Sequence, residues 1–274
     1  MDVKGAIRIA RLSDVGQLRE RNEDAVASDL TIGLAILADG MGGYKAGEIA
    51  SEIAVLVIST EVAESMKGKS TAIRPKTKFL PETEMLMDAV DKANASIYQI
   101  SKEQPKCHGM GTTLVVGLFT ENKLITGHIG DSRMYRLRGE MLLQLTVDHS
   151  LVQEQIEAGM LTIEQAKESE HKNLVTRALG IDRDVELEIH EHNVQVRDMY
   201  LLCSDGLSDM VTDEEIRILL MEAGANVERA ATNLVRFANE KGGKDNISVV
   251  VAYVKKEFTS KQIWLDKLFN NSKI

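Results

Sequence analysis

Apolar positions fall into two kinds of run along this chain. Short runs rich in β-branched residues, bounded by turn-like residues, predict strands at 24–28, 32–38, 113–119, 124–129, 134–137 and 141–145, and again at 185–190, 199–203 and 247–254. Helical periodicity predicts helices at 46–66, 82–102, 151–168, 214–223 and 227–240. The order is not a regular strand–helix alternation. Strands cluster, two long helices come early and two come near the end. That pattern predicts an α+β fold of antiparallel sheets with helices on their outer faces.

No internal repeat or low-complexity segment interrupts the pattern. The three prolines, Pro75, Pro81 and Pro105, all lie between Ile73 and Cys107. The polar, basic stretch KGKSTAIRPKTKFLPETE predicts a surface loop rather than a linker. One domain is therefore expected over residues 1–256, followed by a weakly amphipathic tail at 257–274.

Composition narrows the class. The chain has 274 residues, of which 43% are hydrophobic and 27% charged, so it can bury a large core without disulfides. Aromatics make up only 4%, which leaves aliphatic side chains and Met to fill that core. The net charge of −9 argues against a general nucleic-acid binder. A phosphorylated substrate is still allowed, because bound cations reverse a local field. The two cysteines, Cys107 and Cys203, form neither a disulfide framework nor a zinc-type spacing. The N-terminal stretch has no apolar core, and no run approaches a membrane span. A cytoplasmic monomer is expected, without nucleic-acid or membrane partners.

Four short motifs carry candidate chemistry: ILADGMGG with Asp39 and Gly40, HIGDSR with Asp131, LLCSDGLSD with Asp205, and GGKDNISVVV with Asp245. Asp39 and Asp205 follow apolar runs, and Asp245 precedes one. In antiparallel neighbours the end of one strand lies beside the start of the next, so these three carboxylates could meet at one end of a sheet. Gathered carboxylates repel unless cations lie between them, and oxygen-only ligands suit Mg²⁺ or Mn²⁺. Glycine after Asp lets the backbone approach closely. Each Asp-Gly alone is equally a common turn dipeptide, and spacing alone does not choose between the two.

With these motifs, the chain resembles the protein phosphatase 2C family of metal-dependent phosphatases, in its bacterial branch. The landmarks run in family order: LRERNEDA, LADGMGG, the GTT at Gly111, GDSR, LTVDHS, VTRALG, LCSDGLSD and DNISVVV. The resemblance implies a four-layer α-β-β-α sandwich with a metal cleft at one end. It implies that Asp39 bridges two Mn²⁺ or Mg²⁺ ions, that Asp205 and Asp245 complete the first site, and that the Gly40 carbonyl serves the second. Glu23 and Asp24 would support the second site, and Asp131 would help Asp205 hold a third, weaker ion. Arg19 matches the family's phosphate-binding arginine, with Arg21 as second choice; the ordinary alternative for both is a solvated surface cation.

The activity implied is hydrolysis of phosphoserine and phosphothreonine in proteins, through attack by a metal-bridging water. The partners implied are phosphorylated proteins, a serine/threonine kinase and its substrates among them. Two alternatives are a regulatory binding module without turnover and a hydrolase of small phosphate esters. Met41 stands where many eukaryotic members carry a histidine. His149 is read as structural rather than as a replacement acid. Residues 148–179 correspond to the family's flap beside the cleft. Rival chemistries lack their tools: neither cysteine is followed by a phosphate loop ending in Arg, and there is no GxxxxGK[ST] motif.

Overall fold

A computed structural model describes residues 3–43, 45–68, 78–162, 165–166, 169 and 174–258. The predicted tail from residue 259 onward and most of the predicted loop, at 69–77, lie outside the described residues.

Among the described residues, eleven strands form two antiparallel sheets. The first runs in the order β1 (Ile7–Asp14), β11 (Ile247–Val254), β10 (Met199–Cys203), β7 (Arg133–Arg138), β8 (Met141–Gln144). The second runs β2 (Asp24–Asp29), β3 (Leu34–Met41), β5 (Leu114–Thr120), β6 (Lys123–Ile129), β9 (Glu188–Asn193), with the two-residue β4 (Gly111–Thr112) on β3. Helices α1 (Ala46–Lys67) and α2 (Pro81–Glu103) cover the second sheet. Three further helices are α3 (Leu151–Glu157), the single turn α4 (Asp205–Ser208) and α5 (Asp213–Ala223). The last is α6 (Val227–Glu240), which with α5 covers the first sheet. This is the expected four-layer sandwich.

The period-2 geometry of strands explains the layering. On β3, Leu34, Ile36 and Ala38 pack toward α1 and α2, while Ala35 and Leu37 face the other sheet. On β10, Met199, Leu201 and Cys203 pack toward the outer helices, while Tyr200 and Leu202 turn inward. Strands buried on both faces need continuous apolar runs, and β10, β11 and β5 have them. Each fully buried Leu or Val contributes about 1.5–3 kcal/mol. Phe119 and Tyr200 meet edge-on between the sheets, with ring centroids 5.5 Å apart.

Three differences from the sequence expectations have local causes. Strand β1 was not anticipated, because Arg8 and Arg11 interrupt an apolar pattern that only an edge strand tolerates. Helix α3 stops at Glu157 instead of reaching 168, and Gly159 follows with a left-handed φ of 70°. Strand β9 begins at Glu188 rather than 185, because its register on β6 pairs Glu188 with His128 and Asn193 with Lys123.

Candidate metal centre

The strand ends converge, but not within one sheet as the sequence order predicts: Asp205 and Asp245 flank the neighbours β10 and β11, whereas Asp39 comes from β3 of the other sheet, and the stacking of the two sheets brings them together. Asp24 and Asp39 are directly paired on β2 and β3. Asp205 opens α4 just past β10, and Asp245 lies just before β11, whose start pairs with the end of β10. Asp131 sits in the tight turn between β6 and β7. These residues surround a cleft of about 790 Å³ whose lining includes Arg19, Arg21, Glu23, Asp39, Gly40, Met41, Asp131, Asp205 and Asp245. Of the predicted site residues, only Asp24 does not line the cleft. It lies behind the wall, where its Oδ2 accepts a 3.0 Å hydrogen bond from Ser204.

Several small polar groups hold the carboxylates in place. The Asp39 N–H donates to Thr113 Oγ1 at 3.0 Å, and the Asp39 carbonyl accepts from the Thr113 N–H and the Thr112 hydroxyl, both at 2.8 Å. Asn246 joins the N-terminal loop to the site. Its Oδ1 accepts from the Glu23 N–H at 2.8 Å, and its Nδ2 donates to the carbonyls of Arg21 and Val15. The carbonyl edge of Gly40 lies against helix α1, where a Cβ at residue 40 would collide with the Gly47 carbonyl oxygen. The Glu23 carboxylate lies against Gly47 as well. Sequence reading missed Asn246 and Thr113 as organisers, although both stand inside motifs it quoted. Their side chains act on the backbone of the metal-ligand candidates, which spacing does not reveal.

The electrostatics are those of crowded anions. Burial, then the charges of Asp24, Asp205, Asp131 and Asp245, holds the Asp39 carboxyl well above the ordinary carboxylate range. Burial, reinforced by Asp205 and Asp148, pushes Asp131 up to about 8. Burial and Asp245 raise Asp205 to about 6, even though Asp205 shares a hydrogen bond with Asp39. Asp24 rises to about 7, chiefly through burial, against the opposing hydrogen bonds from Ser248 and Ser204. At the mouth, Arg19 Nη2 meets Asp245 Oδ2 at 2.6 Å and remains largely exposed.

The residues fit divalent cations. The donor set is oxygen-only, which suits hard ions. Carboxyls at hydrogen-bonding distance cannot all ionise near neutral pH unless positive charge enters. Behind them, the buried Oδ1 of Asp24 has no hydrogen-bond partner, a feature that calls for an ion or water.

Thiol chemistry does not fit. Both cysteines are buried and unpaired, and burial pushes the Cys203 thiol up to about 12. No helix among the described residues is long and apolar enough to cross a membrane.

Fold and site together define a two-sheet phosphatase of the metal-dependent class, and known proteins agree. The sequence profile described as protein phosphatase 2C matches residues 17–250. Protein phosphatase PhpP of Streptococcus pneumoniae is 37% identical over 254 residues, which are 92% of this chain and 99% of PhpP. The crystal structure of the Mycobacterium tuberculosis serine/threonine phosphatase PstP/Ppp superposes with a TM-score of 0.81 at 37% identity. That match covers 92% of this chain and 100% of the other. The catalytic domain of PstP in complex with two manganese ions superposes with a TM-score of 0.78 at 38% identity, covering 92% and 99%. The chain belongs to the protein phosphatase 2C family.

Proposed function

We propose that the chain is a metal-dependent protein phosphatase that hydrolyses phosphoserine and phosphothreonine in proteins. One observation carries the reading: Asp39, Asp131, Asp205 and Asp245 crowd one cleft, and burial with mutual repulsion raises the proton affinity of Asp39, Asp131 and Asp205. Asp39, Asp205, Asp245 and the Gly40 carbonyl would hold the ions. Glu23 supports the Gly40 side, and Asp24 holds that wall from behind. Mn²⁺ or Mg²⁺ bound there supplies Lewis acidity and a water of lowered pKa.

The protein's own groups do the rest. Arg19, at the cleft mouth and more than half exposed, binds the phosphate oxygens of the substrate and neutralises their growing charge. Arg21 lines the same mouth. Met41 offers no proton, so the leaving alkoxide takes its proton from water or from a group other than residue 41. An open, polar cleft admits a phosphorylated side chain on a protein surface.

The relatives named above are protein phosphatases, which supports phosphoproteins as substrates. A serine/threonine kinase and its targets are the partners proposed. One copy supplies every group of the cleft, which supports a monomer. The cytoplasm suits two free buried thiols.

The test compares phosphate release from phosphothreonine peptides with release from small phosphate esters, both with Mn²⁺. The reading expects the peptides to be turned over faster. Turnover confined to small esters would replace the substrate class, and Mn²⁺ binding with no turnover of either would restore the regulatory-module alternative.

A further inference from the structure

Beside the cleft, at the edge of the sandwich, His128, His149 and Glu188 bring ligand-type atoms within 4.8 Å of one another. Their hydrogen bonds argue against a second metal site. His128 Nε2 lies 2.8 Å from the Val147 carbonyl, which only accepts, so that nitrogen carries the proton. His149 Nδ1 lies 3.1 Å from the Gly130 N–H, which only donates, so in the neutral ring the proton sits on Nε2. That Nε2 faces Glu188 Oε2 at 3.3 Å. Burial keeps both rings below the ordinary histidine range, which favours the neutral forms. A ligating histidine normally donates its other ring N–H to a second partner, and the Gly130 N–H prevents that at His149. The two rings stack at 4.7 Å with planes 19° apart, so their lone pairs do not converge.

The same hydrogen bonds point to another role. The His149 N–H donates to the Gly130 carbonyl at 2.9 Å, while the Gly130 N–H donates to His149 Nδ1. This two-point clamp grips the residue immediately before Asp131. Gly130 needs its left-handed φ of 101° there, and its other side lies against Thr113, the residue that positions Asp39. The His149 carbonyl also accepts from the Thr176 N–H at 2.8 Å, next to Leu174 and Val175 in the cleft wall.

We propose that His149 is a positioning residue for Asp131, with its tautomer set by the Gly130 N–H and its ring held between Glu188 at Nε2 and the stacked ring of His128. The proposal rests on the metal-centre reading above. His149 does not touch substrate. It sets where the Asp131 carboxylate stands, and so how tightly the ion sharing that carboxylate is held.

The test is Mn²⁺ titration calorimetry on the full chain and three variants, with melting in chelator as the folding check. Asn places an amide oxygen where His149 Nδ1 lies, and Gln does not. His149→Gln is expected to weaken the loosest Mn²⁺ about tenfold, the range typical of groups that orient a ligand, while His149→Asn stays within about twofold of wild type. Glu188→Ala, at a partly exposed carboxylate, removes the Nε2 partner that holds the ring and is expected to weaken the same ion, though by less than His149→Gln does, because the Gly130 N–H still sets the tautomer. Wild-type affinity in both His149→Gln and Glu188→Ala overturns the proposal. Equal weakening in the Asn and Gln variants also overturns it, because the Nδ1 acceptor would then not matter. A wild-type protein that binds no Mn²⁺ overturns the underlying metal-centre reading too, which separates the two failures.

Discussion

The carboxyl groups of Asp39, on β3 of one sheet, and Asp205, in the helical turn that follows β10 of the other, lie within hydrogen-bonding reach of each other. Buried this close together, two such groups share a proton or a cation. The fold thus stores repulsion at one end of its core, and bound cations relieve it.

Replacing Asp39 separates catalysis from stability. Asp39→Asn removes an oxygen donor and is expected to lower turnover at least about a thousandfold. It also removes a crowded anion, so the melting temperature in chelator should hold or rise. Phosphate release and thermal melting of the same sample check both halves.

Stability of the ion-free protein should fall as pH rises. The carboxyls of Asp205, Asp24 and Asp131 keep protons up to about 6, 7 and 8 in the folded state, whereas the unfolded chain releases them near 3.8. The folded state therefore binds more protons across that window, and stability declines with pH. The contribution is fully present below 3.8 and is lost as pH passes through 6 to 8. Melting in chelator at pH 5 and pH 8 should differ by about 5 °C or more, with pH 5 the higher. Mn²⁺ should stabilise most at pH 8, and a flat profile in chelator would contradict the crowding.

Arg19 should matter to the substrate more than to the fold. Its side chain is more than half exposed and pairs with Asp245. Arg19→Ala should lower kcat/KM by about ten- to a hundredfold, the loss expected for hydrogen bonds to a charged group. Arg19→Lys should recover only part of it, because an ammonium cannot grip two oxygens at once. Steady-state kinetics on a phosphothreonine peptide, with melting as control, reads both.

Asn246 should be the costliest site residue to lose structurally. Asn246→Ala breaks three part-buried hydrogen bonds, to the Glu23 N–H and to the Arg21 and Val15 carbonyls. The expected loss is about 2–3 kcal/mol, measured by denaturant unfolding. An unchanged midpoint would show that water replaces the amide.

How far the sequence reached depended on burial. Strands β10 and β11 were predicted to the residue, because burial on both faces forces continuous apolar runs ending at Asp and Gly turns. The edge strand β1 escaped notice, since one solvated face admits Arg8 and Arg11. The acidic cluster was legible as four motifs at strand ends, and the family resemblance arranged them into a site. Asp24 shows the limit of that reading. Its number says only that it opens β2, whereas the register with Asp39 and the bond to Ser204 put it behind the cleft wall. The two-point clamp between His149 and Gly130 was likewise invisible, because neither residue signals its partner.

The most direct measurement is phosphate release from a phosphothreonine protein during one cycle of chelation and Mn²⁺ return. The account predicts steady release, complete arrest when the chelator strips the ions, and full recovery on adding excess Mn²⁺ to the same protein. Release that continues at its original rate in the stripped protein would contradict it.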